Sequence, residues 1–149
     1  MVKIVVVSSY TKNAPTQVLN RSNRMIEGGP LYTNLLAKLD SCEVTIVTQK
    51  CIQDTRCCCL ETWDVRDLIK LALQQNTFIN SQWCSTSKEH VIAACDSYVV
   101  SKTIVHADKE QTETKNYYIK FFVASTGNTV ATVSLHPPRE GDGDYNYEM

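Results

Sequence analysis

The sequence predicts an α/β (α+β) fold. It is expected to be a single compact domain: an N-terminal parallel strand–helix–strand unit, then two helices, then an antiparallel three-strand meander. Three observations predict it. Val2–Val7 is a continuous, β-branched apolar run, the pattern of a strand buried on both faces. Val65, Leu68, Ile69 and Ala72 fall at i, i+3, i+4 and i+7 behind Asp64, which marks a helix. Two apolar runs within Tyr117–His136 flank Ser125-Thr126-Gly127-Asn128, which marks a β-hairpin.

The elements follow in order. Ser8-Ser9-Tyr10 leaves the first strand, and Thr11–Asn23, with Pro15, reads as loop. Gly28-Gly29-Pro30 precedes Leu31, Leu35, Leu36 and Leu39 at helical spacing, with Pro30 in the first turn. Glu43–Thr48 is a second strand. Together these have the length of a parallel crossover unit. Gln49–Thr62 reads as a cysteine-rich connector, and Val65–Gln75 as the clearest helix. Thr77–Cys84 is a short strand or loop with Trp83 inward. Ser87 is expected to cap a helix Lys88–Cys95 that turns Val91, Ile92 and Cys95 inward. Tyr98–Val105 is a strand, and His106–Asn116 a solvated charged loop. Residues 1–139 form the domain. Glu140–Met149 is expected to be a mobile acidic tail, with Tyr145 and Tyr147 as points for a partner to dock.

The hairpin fixes a candidate face. A two- or four-residue loop would mix apolar and polar residues on both faces. A three-residue loop, Thr126-Gly127-Asn128, pairs odd positions with odd. Tyr117, Ile119, Phe121 and Val123 then oppose Ala131, Val133 and Leu135 toward the core. Tyr118, Lys120 and Phe122 oppose Thr132, Ser134 and His136 toward solvent.

The chain has 149 residues, 43% of them hydrophobic and 21% charged, as in an ordinary globular domain with a real core. A net charge of −1 gives no global argument for nucleic acid or membrane binding. No apolar run is long enough to cross a bilayer. MVKIVVVSSY reads as a strand and not a signal peptide. Seven cysteines, an odd number, are expected to be free thiols in a reducing, cytoplasmic setting. Their spacings lack the paired C-x2-C pattern that zinc favours, and His90 and Cys95 would diverge on a helix. No metal and no cofactor are expected.

The order VKIVVVSSY, EGGPLYTNLLAKL, CEVTIVTQ resembles the opening of ribokinase-like (PfkB) sugar kinases and of GT-B glycosyltransferases. The likeness covers the first third of the chain. It implies a parallel strand–helix–strand unit in which Gly28 and Gly29 let backbone approach a sugar or nucleotide. Those enzymes also need a later Gly-rich turn with a catalytic Asp, and nothing after residue 50 resembles it. The resemblance therefore implies a binding remnant without the chemistry. Two helices followed by strands also resemble the element order of small RelE-like or barnase-like ribonucleases.

The chain carries no G-x-G-x-x-G, no Walker A motif and no G-x-S-x-G elbow. Cys51 and Arg56 fall one residue short of a Cys-x5-Arg phosphatase loop, and no glycine lies between them. The expected function is a non-enzymatic binding or interaction protein acting through the exposed sheet face or the Gly28-Gly29 loop. Its partner is a protein or a small anionic ligand. Tyr118, Ser134, Arg139, Ser8, Ser9, Gly28 and Gly29 are the candidate binding residues. The first alternative is a metal-independent ribonuclease with RNA as partner, in which His136 is acid or base and Lys120 and Arg139 hold phosphate. The second alternative is a sugar- or nucleotide-binding remnant. Ser8–Asn23, with Arg21 and Arg24, is a further loop that can cradle an anion where a parallel strand ends.

Overall fold

A computed structural model describes residues 3–106 and 111–142. Its elements are β1 (Val5–Val6), β2 (Met25–Ile26), α1 (Leu35–Lys38), a 3-10 turn (Leu39–Ser41), β3 (Glu43–Ile46), α2 (Gln49–Cys57), α3 (Thr62–Gln75), β4 (Phe78–Ser85), β5 (Val91–His106), β6 (Gln111–Val123) and β7 (Thr129–His136). They form a mixed α/β domain around one sheet of seven strands in the order β2-β4-β5-β6-β7-β3, with β1 beside the start of β5. β4 to β7 are a continuous antiparallel meander. Among the described residues, only β1 on β5 and β3 on β7 are parallel.

The N-terminal strand–helix–strand unit is corrected. β1 and β3 are not neighbours, so no parallel crossover forms between them. Among the described residues of the apolar run, Lys3–Val7, only Val5–Val6 form a strand, and Val5 is 44% exposed. Of the expected helix after Pro30, only the single turn α1 forms. Leu31 and Tyr32 precede it because their backbone N–H groups donate to the Asp96 carboxylate instead.

The second half is corrected in three places. Lys88–Cys95 is a turn and a strand, not a helix. Val91, Ile92 and Cys95 satisfy helical spacing, but VIAAC fits a strand buried on both faces equally well, and β1 and β4 flank it there. The cysteine-rich connector is α2, capped by Thr48, whose hydroxyl accepts from Cys51 N at 3.1 Å. The expected loop His106–Asn116 is mostly ladder: β5 reaches His106 and β6 starts at Gln111. The meander thus has four strands instead of three. Residues 143–149, with Tyr145 and Tyr147, lie outside the described residues.

α3 forms as its spacing predicts. Its cap is Glu61 and not Asp64; Asp64 sits in the first turn and accepts from Glu61 N at 2.8 Å. Asn76 closes it in the left-handed conformation, φ 57°. Val65, Leu68, Ile69 and Ala72 are buried in one apolar cluster with Tyr98, Val100, Ile119 and Phe121. All seven cysteines are free.

The hairpin register is partly as expected. Tyr118 faces His136, Ile119 faces Leu135 and Lys120 faces Ser134. Nearer the loop, Phe121 faces Thr132 and Val123 faces Val130. The loop therefore has four residues, Ser125–Asn128, closed by Ala124 N on Thr129 O at 2.8 Å. A four-residue loop shifts the pairing by one. The bulge at Val133 shifts it back and restores the odd register for the far half. Gly127, at φ 80°, supplies the positive-φ turn position.

Candidate functional site

Tyr118 and Lys120 share one side of β6, because side chains alternate along a strand. Their cross-strand partners His136 and Ser134 share that side of β7. The sequence-based expectation of a solvated face is corrected here. Tyr118 is fully buried, Lys120 is 2% exposed and His136 is 5% exposed. The reason is tertiary: α2 together with Val18, Leu19 and Arg24 borders this side and leaves an open cavity of about 620 Å³.

Four parts of the chain build its wall. Lys120 comes from β6, and Val133, Ser134 and His136 from β7. Thr48, Lys50, Cys51 and Asp54 come from the start of α2. Thr48 pins that helix to the bulge, its hydroxyl donating to Val133 O at 2.9 Å. Arg24 and Cys84 close the other side, from the β2–β4 edge. Arg24 is 6% exposed, and its guanidinium donates to Trp83 O at 3.3 Å and to Cys84 Sγ at 3.9 Å. Glu89, exposed, stands at the rim.

The thiols differ sharply. Cys84 and Cys95 lie on the same side of adjacent strands, since Cys84 faces Ala93 and Gln82 faces Cys95. The Cys84 thiol donates to Gln82 O at 3.8 Å and the Cys95 thiol to Ala93 O at 3.7 Å, and the neighbouring Cys95 thiol is the largest influence lowering Cys84. The Lys120 and Arg24 charges add to this and overcome burial, so Cys84 lies below the usual thiol range. Cys95 is driven up, chiefly by burial and then by the same contact. Cys51 is pushed up to about 12 by burial, with the Asp54 charge adding to it. Cys84 is thus shifted in the opposite direction to Cys51 and Cys95, although all three are buried.

His136 stacks on Tyr118, ring centroids 5.3 Å apart. Its Nδ1–H donates to Pro137 O at 2.8 Å, which leaves Nε2 toward Asp142 Oδ1 at 3.7 Å. Arg139 lies outside the cavity lining, exposed, and its guanidinium pairs with Asp54 at 3.5 Å. Lys120, Ser134 and His136 are thus brought together, with Tyr118 behind the histidine.

Ser8, Ser9, Gly28 and Gly29 are not on this wall. Ser8 is buried and bridges two segments: its hydroxyl donates to Tyr10 O at 2.7 Å and accepts from Ala94 N at 3.0 Å. Ser9 is exposed, and its N–H donates to Val123 O at 2.7 Å. Gly28 is exposed with φ 83°. Gly29 packs so closely on Ser81 and Phe78 that a Cβ there would collide with both. The Gly-Gly turn therefore serves a close backbone-to-sheet contact. Arg21 is exposed and off the wall, whereas Arg24 is on it.

Sequence reasoning missed Cys84, Cys51, Thr48, Lys50 and Asp54 as neighbours of Lys120. No local pattern links them, because they meet through the sheet order and the fold of α2 over β7. Among the described residues, no cluster of three His, Cys, Asp or Glu could hold a metal ion. No described helix is long and apolar enough to cross a membrane. No family model, curated protein or solved structure matches this chain.

Proposed function

We propose that the protein is a non-enzymatic binding protein that takes a small anionic ligand into the cavity over its sheet. The observation that carries this is the placement of two buried cations, Arg24 and Lys120, on one cavity wall. Positive side chains on the wall of a low-dielectric space raise the potential there and favour an anion in it. Two acids border the same cavity, Glu89, which is exposed, and Asp54, which pairs with Arg139. The N-terminal turn of α2 also borders the cavity, and its dipole adds positive potential there. At about 620 Å³, the cavity suits a ligand of metabolite size.

The test is thermal unfolding with inorganic phosphate, a sugar phosphate and a nucleoside monophosphate, each against a neutral analogue. A ligand at a hundredfold excess over its Kd stabilises by about 2.7 kcal/mol. The anions are expected to raise Tm and the neutral analogues to leave it unchanged. Lys120→Met is expected to lose the shift while keeping a cooperative transition. No shift with any anion on the wild type overturns the reading.

A second reading rests on His136 and Lys120 sharing that wall, the pair a metal-independent ribonuclease would use. Cleavage of total RNA in EDTA by the wild type, lost in His136→Ala, would replace the first reading. No cleavage removes the second.

A further inference from the structure

We infer that residues 137–142 form a strap whose grip is set by the charge of His136, and that this strap makes the cavity hold anions better at low pH than at high pH. The second part deepens the anion-binding reading and rests on it; the strap itself does not. His136 is the last residue of β7 and lines the cavity. Beyond it the chain turns back toward the ring. Asp142 N donates to Arg139 O at 3.2 Å, and Arg139 N donates to Asp142 Oδ2 at 2.5 Å. This turn sets Asp142 Oδ1 3.7 Å from His136 Nε2, with the two side chains 8% and 7% exposed. Arg139 also pairs with Asp54 of α2 at 3.5 Å, so the strap is tied at two points.

The ring can satisfy both of its contacts in one charge state only. Its Nδ1 lies 2.8 Å from Pro137 O, an acceptor, and its Nε2 faces Asp142 Oδ1, also an acceptor. A neutral imidazole has a single N–H, so either tautomer sets a ring lone pair against one of these oxygens. The imidazolium has two and serves both. Asp142 Oδ1 is buried and accepts no hydrogen bond among the described residues, a costly state for a carboxylate oxygen. Protonation of His136 therefore tightens the strap, and deprotonation loosens it. The cavity wall feels the change twice. His136 loses its positive charge, and a loosened strap takes Arg139 from Asp54, which lines the wall. Both changes make the wall less attractive to an anion.

Other titratable groups surround the ring. Tyr118, stacked on it, and Lys120 face it from β6. Lys50, Cys51 and Asp54 face it from α2. Arg24, Cys84 and Glu89 border the cavity farther off. Burial holds the Tyr118 hydroxyl and the Cys51 thiol neutral. Asp142→Asn leaves every one of these groups in place and removes a single charge at nearly constant size, so it isolates the His136–Asp142 contact from them.

The experiment measures hydrogen exchange at the Arg139 and Asp142 amides by NMR, at about pH 5.5 and about pH 8, which bracket the range in which histidines change charge. Protection factors remove the intrinsic effect of pH on exchange. Without ligand, wild-type protection is expected to be roughly fivefold higher at the lower pH. Asp142→Asn and His136→Gln are each expected to protect equally at both. Equal wild-type protection at the two pH values overturns the strap, and so does an Asp142→Asn variant that keeps the wild-type difference. Sulfate, whose charge is constant over this range, then probes the cavity. It is expected to raise the wild-type Tm more at the lower pH, with a smaller difference in Asp142→Asn. A sulfate shift of one size at both pH values overturns the coupling to the cavity. No sulfate shift at either pH, with strap protection as expected, instead removes the anion-binding reading and leaves the strap standing.

Discussion

Replacing Asp96 by alanine is expected to cost about 3 kcal/mol of stability, because three donors lose one acceptor together. Asp96 is fully buried on β5. Its carboxylate accepts from Leu31 N at 2.9 Å, Tyr32 N at 3.2 Å and Ser81 Oγ at 2.6 Å. It therefore ties the segment after the Gly-Gly turn to the sheet. A buried donor left without an acceptor costs about 1–3 kcal/mol. The three are neighbours, so their costs do not add in full. Removing a buried charge also returns part of the loss. For a domain of this size, about 3 kcal/mol corresponds to a Tm drop of roughly 6–12 °C.

Asp96→Asn separates the hydrogen bonds from the charge. Its carbonyl oxygen can still accept from Leu31 and Tyr32, and its amide can donate to Ser81 Oγ. That variant is expected within about 1 kcal/mol of wild type. Burial, the largest influence, pushes the Asp96 carboxyl up against the three hydrogen bonds that lower it. A raised folded value means that its proton-linked contribution is fully present below the ordinary carboxylate value of about 3.9. The contribution is lost as pH rises through the raised value. Asp96→Asn should therefore gain on wild type as pH rises from about 4 through that raised value. Thermal and urea unfolding across that range measure both effects. An alanine variant within about 1 kcal/mol of wild type, or an asparagine variant as weak as alanine, refutes the reasoning.

Two further predictions concern the same architecture. Gly29→Ala forces a Cβ against Ser81 and Phe78 and is expected to cost about 1–3 kcal/mol, read as a lower urea midpoint at unchanged slope. An unchanged midpoint would mean that the turn has room to move. Cys84 has a lowered folded value, so its proton-linked contribution is full above the ordinary thiol value of about 8.5 and lost as pH falls through the lowered one. The stability gap between wild type and Cys84→Ala should narrow as pH falls from about 8.5. A gap independent of pH would mean that Cys84 stays a neutral thiol.

The candidate site was half legible. The odd register of the hairpin placed Tyr118, Lys120, Ser134 and His136 together, because alternation and the apolar pattern of 117–136 admit one pairing of their outer ends. The route to it was different. A four-residue loop and a bulge at Val133 together restore a register that a three-residue loop would give directly. No residue in the sequence marks that bulge, since Val133 is itself an ordinary strand former. Exposure was misjudged for a physical reason. Lys120 and His136 are polar, and alternation predicts that polar side chains of an antiparallel strand face water. Here α2 together with Val18, Leu19 and Arg24 borders them and turns a surface into a cavity wall.

By itself the sequence determined what local pattern can determine. It gave α3, from an apolar stripe at helical spacing, and the β6–β7 hairpin, from two β-branched runs around Gly127. It gave β3 and an ordinary core-forming composition. Only the tertiary structure decided which strands meet. VKIVVV and EVTIVT read alike as parallel strands, but neither records whether its neighbour is the other or a strand distant in sequence. VIAAC fits helix and buried strand equally until β1 and β4 supply its ladder. The setting of Cys84 was decided there too. A thiol's charge depends on the cations beside it, and Arg24 and Lys120 reach it from 60 and 36 positions away in the chain.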